Sequence, residues 1–253
     1  MRMGWLPFGG FGSSSYAGGA ADPAMVSFYS QFIAEGDLVF DVGANVGNRV
    51  AVFLELGARV VAVEPQKACI KTLRRRFGHE QNFTLEPCSL GARAGMDYLY
   101  QSNANTISSM SKTWIDTVRN SGRFSSYHWG KPRRVAVTTL DALILRYGLP
   151  KFVKIDVEGY ELEVIKGLSQ PVNMLSLEFV PEILNPTFEA MQLLNVMGPT
   201  VFNYGLGEAT AFELDDWVDL IAITGCLSGY RDRIDCFGDV YVRFADSMIE
   251  GAG

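Results

Sequence analysis

The sequence predicts an α/β protein organised around a parallel β-sheet. Short apolar, β-branched segments alternate with segments of helical spacing from Leu38 onward, which is the pattern of consecutive βα units with right-handed crossovers. A glycine-containing turn follows the first of these strands at residues 41–48, and acidic residues end several strands. Because open parallel sheets bind ligands at the carboxyl ends of their strands, the same pattern predicts a cleft there.

The first half of the chain contains a helix followed by three predicted βα units. The helix at residues 23–34 begins at Pro23 and ends before Gly36, as both residue types favour at helix ends. Helices are also predicted between the strands that follow. These buried strands are predicted at residues 38–42, 59–63 and 83–87.

The segment at residues 101–134 does not continue this alternation of strands and helices. Residues 101–134 have no sustained period and are rich in Ser, Asn and Gly. This irregular insertion is interpreted either as a lid or as a surface excursion with a short helix near 112–119. The remaining predicted elements are strands at 135–137, 151–157, 173–179, 201–204 and 239–244, and helices at 140–147 and 187–197.

The segment at residues 151–168 carries the most informative acidic residues. Its strand gives way to helical spacing from Gly159 onward, so Asp156 and Glu158 lie at the carboxyl end of a buried strand. Buried charge is unfavourable unless it is paired or used, which predicts a functional site. A structural alternative is that Glu158 and Glu161 stabilise the positive N-terminal end of the helix.

Composition and charge exclude several classes of protein. The 253-residue chain has a formal net charge of −6, and its basic run is limited to residues 74–76, so nucleic acid is not predicted as a partner. Four cysteines without metal-site spacing indicate reduced thiols in a cytoplasmic protein. No apolar run is long enough to predict a membrane span.

One domain is predicted at residues 23–253, because no linker or internal repeat divides this part of the chain. Residues 1–22 combine glycines with a broken apolar patch and make a poor signal peptide. They are interpreted as a flexible lead-in that can fold over a ligand. The oligomeric state is left open.

The turn at residues 41–48 resembles a nucleotide-binding turn only in part. Gly43 and Gly47 allow a ligand to approach the backbone. Asn45 and Asn48, however, stand where the dinucleotide motif G-x-G-x-x-G has its second and third glycines. This difference disfavours NAD as the ligand.

Two acids near this turn favour a cationic nucleoside cofactor. Asp41 would repel a phosphate group, whereas it would attract an amino or sulfonium centre. Glu64 ends the second strand, at the distance from the turn expected of an acid that accepts hydrogen bonds from ribose hydroxyls. The glycine turn and Glu64 together predict a site for a nucleoside-containing cofactor.

The chain also contains a set of four motifs, which are DVGANVG at 41–47, EP at 64–65, TLD at 139–141 and KIDVEGYELEVIKG at 154–167. This set resembles the FkbM family of S-adenosylmethionine-dependent methyltransferases over residues 38–178, and the last motif is the specific one. The resemblance implies a class I methyltransferase, Rossmann-like α/β fold. Such a fold has a seven-stranded, mostly parallel sheet with an antiparallel last strand and helices on both faces.

The resemblance further implies the cofactor, the acceptor and the residues of the site. Family members generally methylate hydroxyl groups, often of sugars or secondary metabolites, so a small-molecule or glycan acceptor is expected. Ser108 and Ser109 resemble a short serine motif that the family places near its active site. The residues expected to bind S-adenosylmethionine are Asp41, Gly43, Asn45, Gly47, Glu64, Ser89 and Asp156.

Methyl transfer to a hydroxyl requires alignment of the reacting atoms and removal of the acceptor's proton. The candidate catalytic residues are Glu158, then Glu178 at the end of the neighbouring strand, and His128 in the insertion. A hypothesis in which Asp156, Glu158 and Glu178 hold Mg²⁺ ranks below catalysis without a metal. Two rival functions are an NAD(P)-dependent oxidoreductase and a non-catalytic nucleoside-cofactor-binding module.

Overall fold

The computed structural model describes residues 20–231 and 233–244, and all structural statements refer to these residues. The lead-in expected at residues 1–22 therefore lies outside the description, apart from residues 20–22. The helices are α1 (Pro23–Tyr29), α2 (Asn48–Glu55), α3 (Lys67–Phe77), α4 (Lys112–Asn120), α5 (Leu140–Tyr147), α6 (Glu161–Ile165), α7 (Leu184–Met197) and α8 (Leu220–Ser228).

Ten strands form two sheets. They are β1 (Leu38–Val42), β2 (Arg59–Val63), β3 (Phe83–Glu86), β4 (Ser89–Leu90), β5 (Gly95–Leu99), β6 (Arg133–Thr138), β7 (Phe152–Ile155), β8 (Met174–Phe179), β9 (Thr200–Leu206) and β10 (Gly238–Phe244). The seven-stranded sheet has the order β3-β2-β1-β7-β8-β10-β9. Strand β10 is antiparallel to both of its neighbours, whereas β3, β2, β1, β7 and β8 pair in parallel. The predicted fold class is confirmed.

The strand order reverses beside β1, and this places the candidate residues together. Asp41 of β1 pairs with Ala62 of β2 on one side and with Lys154 of β7 on the other. Gly43 and Asp156 thus follow the ends of two adjacent parallel strands. A crevice at such a switch point is where open α/β sheets bind ligands.

Apolar side chains on both faces of the sheet anchor the helices. One face packs against residues of α1, α2 and α3, including Phe28, Phe53 and Leu73. The other packs against α5, α6, α7 and α8, including Leu140, Ile165 and Met191. A strand covered on both faces favours apolar residues at every position. Strand β1 is buried along its whole length. Its single acid, Asp41, is the exception that needs explanation.

The sequence did not predict the second sheet, whose order is β4-β6-β5. Only its middle strand was expected, at residues 135–137, and it extends over Arg133–Thr138. Strand β5 is mostly exposed and begins at Gly95, so it lacks the apolar pattern of a core strand. Helix α8 was not predicted either, since most of its residues are apolar and their spacing is not amphipathic.

The insertion at residues 101–134 has a small apolar core of its own. A 3-10 turn at Asn105–Ile107 and helix α4 supply Ile107, Trp114 and Val118, which pack with Val180 after β8. The short helix expected near 112–119 is therefore present and is held against the main sheet. Within the described residues, no helix is long and apolar enough to cross a membrane.

Candidate active site

The turn after β1 can be built only with glycine at two positions. Gly43 has φ +87°, and a Cβ atom there would lie 1.8 Å from the carbonyl oxygen of Asp156. Gly47 has φ +86°, and its Cβ would lie 2.5 Å from the ring of Phe77. Positive φ and close approach of the backbone both require glycine. The turn is thereby pressed against the end of β7 and against α3.

Glu64 closes this turn from the end of β2. One carboxylate oxygen accepts a hydrogen bond from the backbone N–H of Asn45 (2.9 Å), and the other accepts one from the N–H of Gln66 (2.6 Å). The carboxyl group is buried, which raises its pKa to about 7 although both hydrogen bonds oppose this shift. Glu64 thus links the turn after β1 to the segment after β2.

Asp41 is a buried carboxyl group that the protein does not satisfy fully. Its Oδ2 atom has no hydrogen-bond partner among the described residues, and the residue is only 2% exposed. Burial raises its pKa to about 7, while the nearby charge of Lys154 acts in the opposite direction. An orphaned acceptor of this kind is unusual in a folded protein and indicates a place for a donor from a ligand.

Three further carboxylates converge beside the turn. Asp156 after β7, Glu158 two residues later and Glu178 near the end of β8 have oxygens within 4.8 Å of one another. These three half-buried residues are called the acid cluster below. Burial raises the pKa of each of them, and repulsion from its neighbours adds to the shift for Glu158 and Glu178. A divalent or organic cation would relieve this repulsion.

The backbone at Glu158 is strained. Its φ is +55°, which side chains other than glycine seldom adopt. The turn is held by Glu161, whose Oε1 accepts hydrogen bonds from the N–H groups of Val157 (3.0 Å) and Gly159 (3.1 Å). Strain of this kind persists where surrounding contacts enforce it, and it often marks functional positions. The side chain of Glu161 therefore stabilises this turn, whereas the side chain of Glu158 makes none of these hydrogen bonds.

Lys154 was not assigned a role from the sequence. It is 3% exposed on β7, and its ammonium group lies 3.3 Å from Asp156 Oδ2 and 3.0 Å from Asp239 Oδ1. Both partners raise the pKa of Lys154 well above its usual value, although burial acts against this. The ion pair with Lys154 thus fixes the position of the Asp156 carboxylate in the acid cluster. A lysine inside an apolar strand was the signal that could have revealed it.

The insertion contacts the glycine turn directly. The Asn105 amide donates a hydrogen bond to Asn45 Oδ1 (2.7 Å), and the Gln66 amide donates one to the backbone oxygen of Asn105 (3.0 Å). Ser108 Oγ donates to Gln66 Oε1 (3.0 Å). This part of the edge is covered by a polar network and not by packed apolar side chains.

The insertion also contacts the acid cluster. Ser109 Oγ donates a hydrogen bond to the backbone oxygen of Glu158 (2.6 Å). Trp114 lies on Gly159, where a Cβ atom would be 2.2 Å from the indole ring. Further along, Arg123 forms a buried ion pair with Glu182, 2.7 Å long, behind β8. The insertion therefore spans both halves of the site.

Two of the predicted site residues make no polar side-chain contact with these groups. The side chain of His128 is exposed and forms no hydrogen bond or ion pair with any described residue, while its backbone pairs with Asn103. Ser89 is buried in β4, where its hydroxyl donates only a long hydrogen bond, 3.4 Å, to Leu90. Neither side chain forms a hydrogen bond or ion pair with the glycine turn, Glu64 or the acid cluster, and the roles expected of both residues stay predictions.

Comparison with known proteins identifies one family. The sequence model described as the Methyltransferase FkbM domain matches residues 41–198, which is more than half of the chain. The matched region runs from Asp41 to the end of α7 and contains the turn, the insertion and the acid cluster. No curated protein matches the chain.

Some solved structures are similar to the chain at low identity. A precorrin-6y C5,15-methyltransferase from Geobacter metallireducens is 11% identical, with a TM-score of 0.48 and coverage of 92% of this chain and 96% of that chain. A putative methyltransferase from Streptococcus mutans in complex with SAH is 10% identical, with a TM-score of 0.41 and coverage of 87% and 95%. At these values neither similarity says anything about the activity of this chain.

Proposed function

Because the chain belongs to the FkbM family of methyltransferases, we propose that it transfers the methyl group of S-adenosylmethionine to a hydroxyl of a sugar or secondary metabolite. The observation that carries the proposal is the meeting of the glycine turn, Glu64 and the acid cluster at one switch point of the sheet. Family membership supports methyl transfer. The hydroxyl acceptor is the finer part of the proposal.

The residues present fit S-adenosylmethionine, which would supply an electrophilic methyl group on a sulfonium centre. Asp41 offers a buried acceptor without a donor among the described residues, as a ligand ammonium group requires. Glu64 keeps free lone pairs for ribose hydroxyls beyond the two N–H groups it binds. Gly43, Asn45 and Gly47 form a turn whose positive φ values let it pack closely against the end of β7, next to Asp156.

The charges at the site suit a cation and disfavour a phosphate. Asp41 lies on β1 and Asp156 directly follows the adjacent strand β7, and both have raised pKa values because of burial. A bound cation would stabilise their ionised forms, whereas a pyrophosphate would repel them. This favours S-adenosylmethionine over NAD(P), and the oxidoreductase hypothesis is accordingly not adopted.

Glu158 is the proposed general base. Its backbone is strained, its side chain has no hydrogen bond with another described residue, and it lies in the acid cluster. Its raised pKa means that it can take a proton readily once it is ionised. Glu178 is the second candidate, because it lies in the same cluster. His128 is ranked last, since its exposed side chain lies in the outer part of the insertion.

The acid cluster also gives the metal hypothesis a concrete form. Three carboxylate oxygens within 4.8 Å of one another match the hard oxygen ligands that Mg²⁺ prefers. Catalysis without a metal is still preferred, because a cationic cofactor would neutralise the same charges. Activity that is lost with a chelator and restored by Mg²⁺ would reverse this ranking.

Two measurements test the proposal in sequence. Calorimetry should detect binding of S-adenosylmethionine and no binding of NAD or NADP. Mass spectrometry of reactions with a panel of hydroxylated acceptors should then detect a product in which one methyl group has replaced a hydrogen. Binding of NAD in preference to S-adenosylmethionine would refute the cofactor. Cofactor binding without methylation of any hydroxyl, amine or thiol would favour a non-catalytic binding module.

A further inference from the structure

A groove outside the acid cluster has a charge that the proposed chemistry does not use. It lies between helix α3 and the small sheet of β5 and β6, and its volume is about 500 Å³. Its floor is apolar and includes Pro65, Ile70, Pro87 and Leu99. Pro65 directly follows Glu64, so the groove opens beside the proposed ribose site.

The polar part of the groove is strongly basic. Helix α3 contributes Lys67, Lys71 and Arg74, which are spaced so that they share one face of the helix. Strand β6 contributes Arg133 and Arg134 from the opposite wall. These five residues are called the basic rim below. No acidic residue of the described chain lines the groove, although the protein carries a net charge of −6.

The basic rim has no internal counter-charge within the described part of the chain. All five side chains belong to exposed residues, and none forms an ion pair or hydrogen bond with another described residue. The acids of the neighbouring segments are engaged elsewhere. Glu64 binds backbone N–H groups, Glu86 pairs with Arg146, and Asp97 accepts a hydrogen bond from the Tyr160 hydroxyl.

S-adenosylmethionine does not account for these charges. It carries one carboxylate and two cationic centres, so it cannot neutralise five lysine and arginine side chains. Cations crowded at one groove repel one another and raise the local concentration of anions. Arginine and lysine side chains are also the groups that proteins use most to bind phosphate.

We propose that the groove is a binding site for a small phosphate-bearing molecule. The phosphate groups contact the basic rim, and an apolar or flat part of the molecule lies on the floor formed by Pro65, Ile70, Pro87 and Leu99. A volume of about 500 Å³ is that of a small-molecule site. A long nucleic acid fits less well, because the remaining surface of this acidic protein would repel it.

The direct test uses pyrophosphate and uridine diphosphate as probes, in calorimetry at low ionic strength. S-adenosylhomocysteine is present at saturation, so that the cofactor site cannot take up the nucleotide. We expect both probes to bind, and we expect the substitution Arg74→Glu to weaken binding by about tenfold or more. Binding should weaken steeply with added salt.

Arg75→Glu is the matched control, because Arg75 neighbours Arg74 on α3, is exposed and does not line the groove. It should change probe affinity by less than about twofold to threefold, through long-range charge alone. Circular dichroism of each variant verifies folding. Measured separately, cofactor affinity should be the same in both variants.

Four results would overturn the proposal. They are failure of both probes to bind, equal loss in Arg75→Glu, binding of uridine diphosphate only when S-adenosylhomocysteine is left out, and much tighter binding of a single-stranded RNA of mixed sequence. The third would identify the groove as part of the cofactor site, and the fourth would make it a nucleic-acid surface. If S-adenosylhomocysteine itself fails to bind, the proposed function fails, and the probe titrations are still interpretable without it.

Discussion

The two halves of the carboxyl edge are built in opposite ways. The glycine-turn half, with Gly43, Gly47 and Glu64, is fixed by backbone geometry, and both oxygens of Glu64 accept backbone N–H groups. The acid cluster consists of side chains that repel one another, and Glu158 forms no side-chain hydrogen bond among the described residues. The groups of the first half are thus held in place by the protein itself, whereas the acid cluster carries charges that repel one another.

This difference suggests how the work of the site is divided. Groups that are already bonded in place can bind a ligand without loss of conformational freedom, which suits recognition of the cofactor. Groups held close against their mutual repulsion respond strongly to an added cation, which suits catalysis. We therefore expect substitutions in the first half to change stability and affinity, and those in the second half to change turnover.

The largest effect should come from Gly43→Ala. A Cβ atom at this position would lie 1.8 Å from a backbone oxygen, and neither strand can move freely because both are central. We expect the free energy of unfolding, measured by urea denaturation, to fall by about 4 kcal/mol or more.

Gly36→Ala is the control for backbone conformation alone, since Gly36 has φ +84° and a Cβ atom there would meet no described atom within 4 Å. It should lose only about 1 kcal/mol. Equal losses in the two variants would mean that the contact with the end of β7 has no special importance.

Glu158→Gln should have the next largest effect. The amide keeps the size of the side chain but cannot accept the acceptor's proton, so kcat should fall by about 10² to 10⁴ while cofactor affinity is kept. Glu163→Gln is the control, because Glu163 is a half-exposed acid of the same segment paired with Lys166. If turnover survives in Glu158→Gln and is lost in Glu178→Gln, the general base is Glu178.

Glu64→Gln should weaken S-adenosylmethionine binding by about 10-fold to 100-fold, because a charged acceptor for the ribose hydroxyls is lost. Calorimetry of the folded variant gives the affinity directly. Glu86→Gln serves as the control, since Glu86 ends the adjacent strand but pairs with Arg146. Unchanged affinity in Glu64→Gln would remove the proposed ribose role.

The pH dependence of affinity should separate the cofactor from its product. A cation favours the ionised forms of Asp41 and the acid cluster, so S-adenosylmethionine should release protons on binding and bind more tightly as pH rises. We expect a gain of about tenfold between pH 6 and pH 8 for S-adenosylmethionine. S-adenosylhomocysteine lacks the sulfonium charge and should gain less. If the affinities of the two ligands rose equally with pH, a charge interaction between these carboxylates and the sulfonium would be excluded.

The stability of the ligand-free protein should also depend on pH. Burial raises the pKa values of Asp41, Glu64 and Glu161 to about 7, above the values of about 4 in the unfolded chain. The folded state thus binds more protons, and stability is lost as pH rises from about 4 to about 7. The loss amounts to several kcal/mol, so the melting temperature should be lower at pH 8 than at pH 5 by about ten degrees or more. A rise in melting temperature from pH 5 to pH 8 would contradict the raised pKa values of these buried acids.

Much of the site could be predicted because it depends on residues close in sequence. The strand, turn and helix around Gly43, and the strand end with Asp156 and Glu158, each follow from a local pattern of apolar residues, glycines and acids. A parallel sheet then places such ends on one edge. The assignments to cofactor and catalytic roles stay predictions, as do the domain boundaries, the lid and the cytoplasmic location.

Other parts depended on contacts between distant segments. The bonds of Asn105 to the glycine turn, the pairing of Lys154 with Asp239, and the basic groove between α3 and β6 each join residues far apart in the chain. No periodicity in the sequence predicts such contacts between distant segments. The exposed strand β5 and the apolar helix α8 were missed for a related reason, since their patterns become meaningful only beside their partners.

The sequence by itself therefore determined the class of fold, the glycines of the turn and the acids at the strand ends, because local sterics and hydrophobic periodicity act within a few residues. Only the tertiary structure decided which acids approach within 4.8 Å, which carboxyl oxygen is left without a donor among the described residues, and where the insertion lies. Burial and mutual repulsion depend on the whole folded chain. These are the quantities that set the charge of the site.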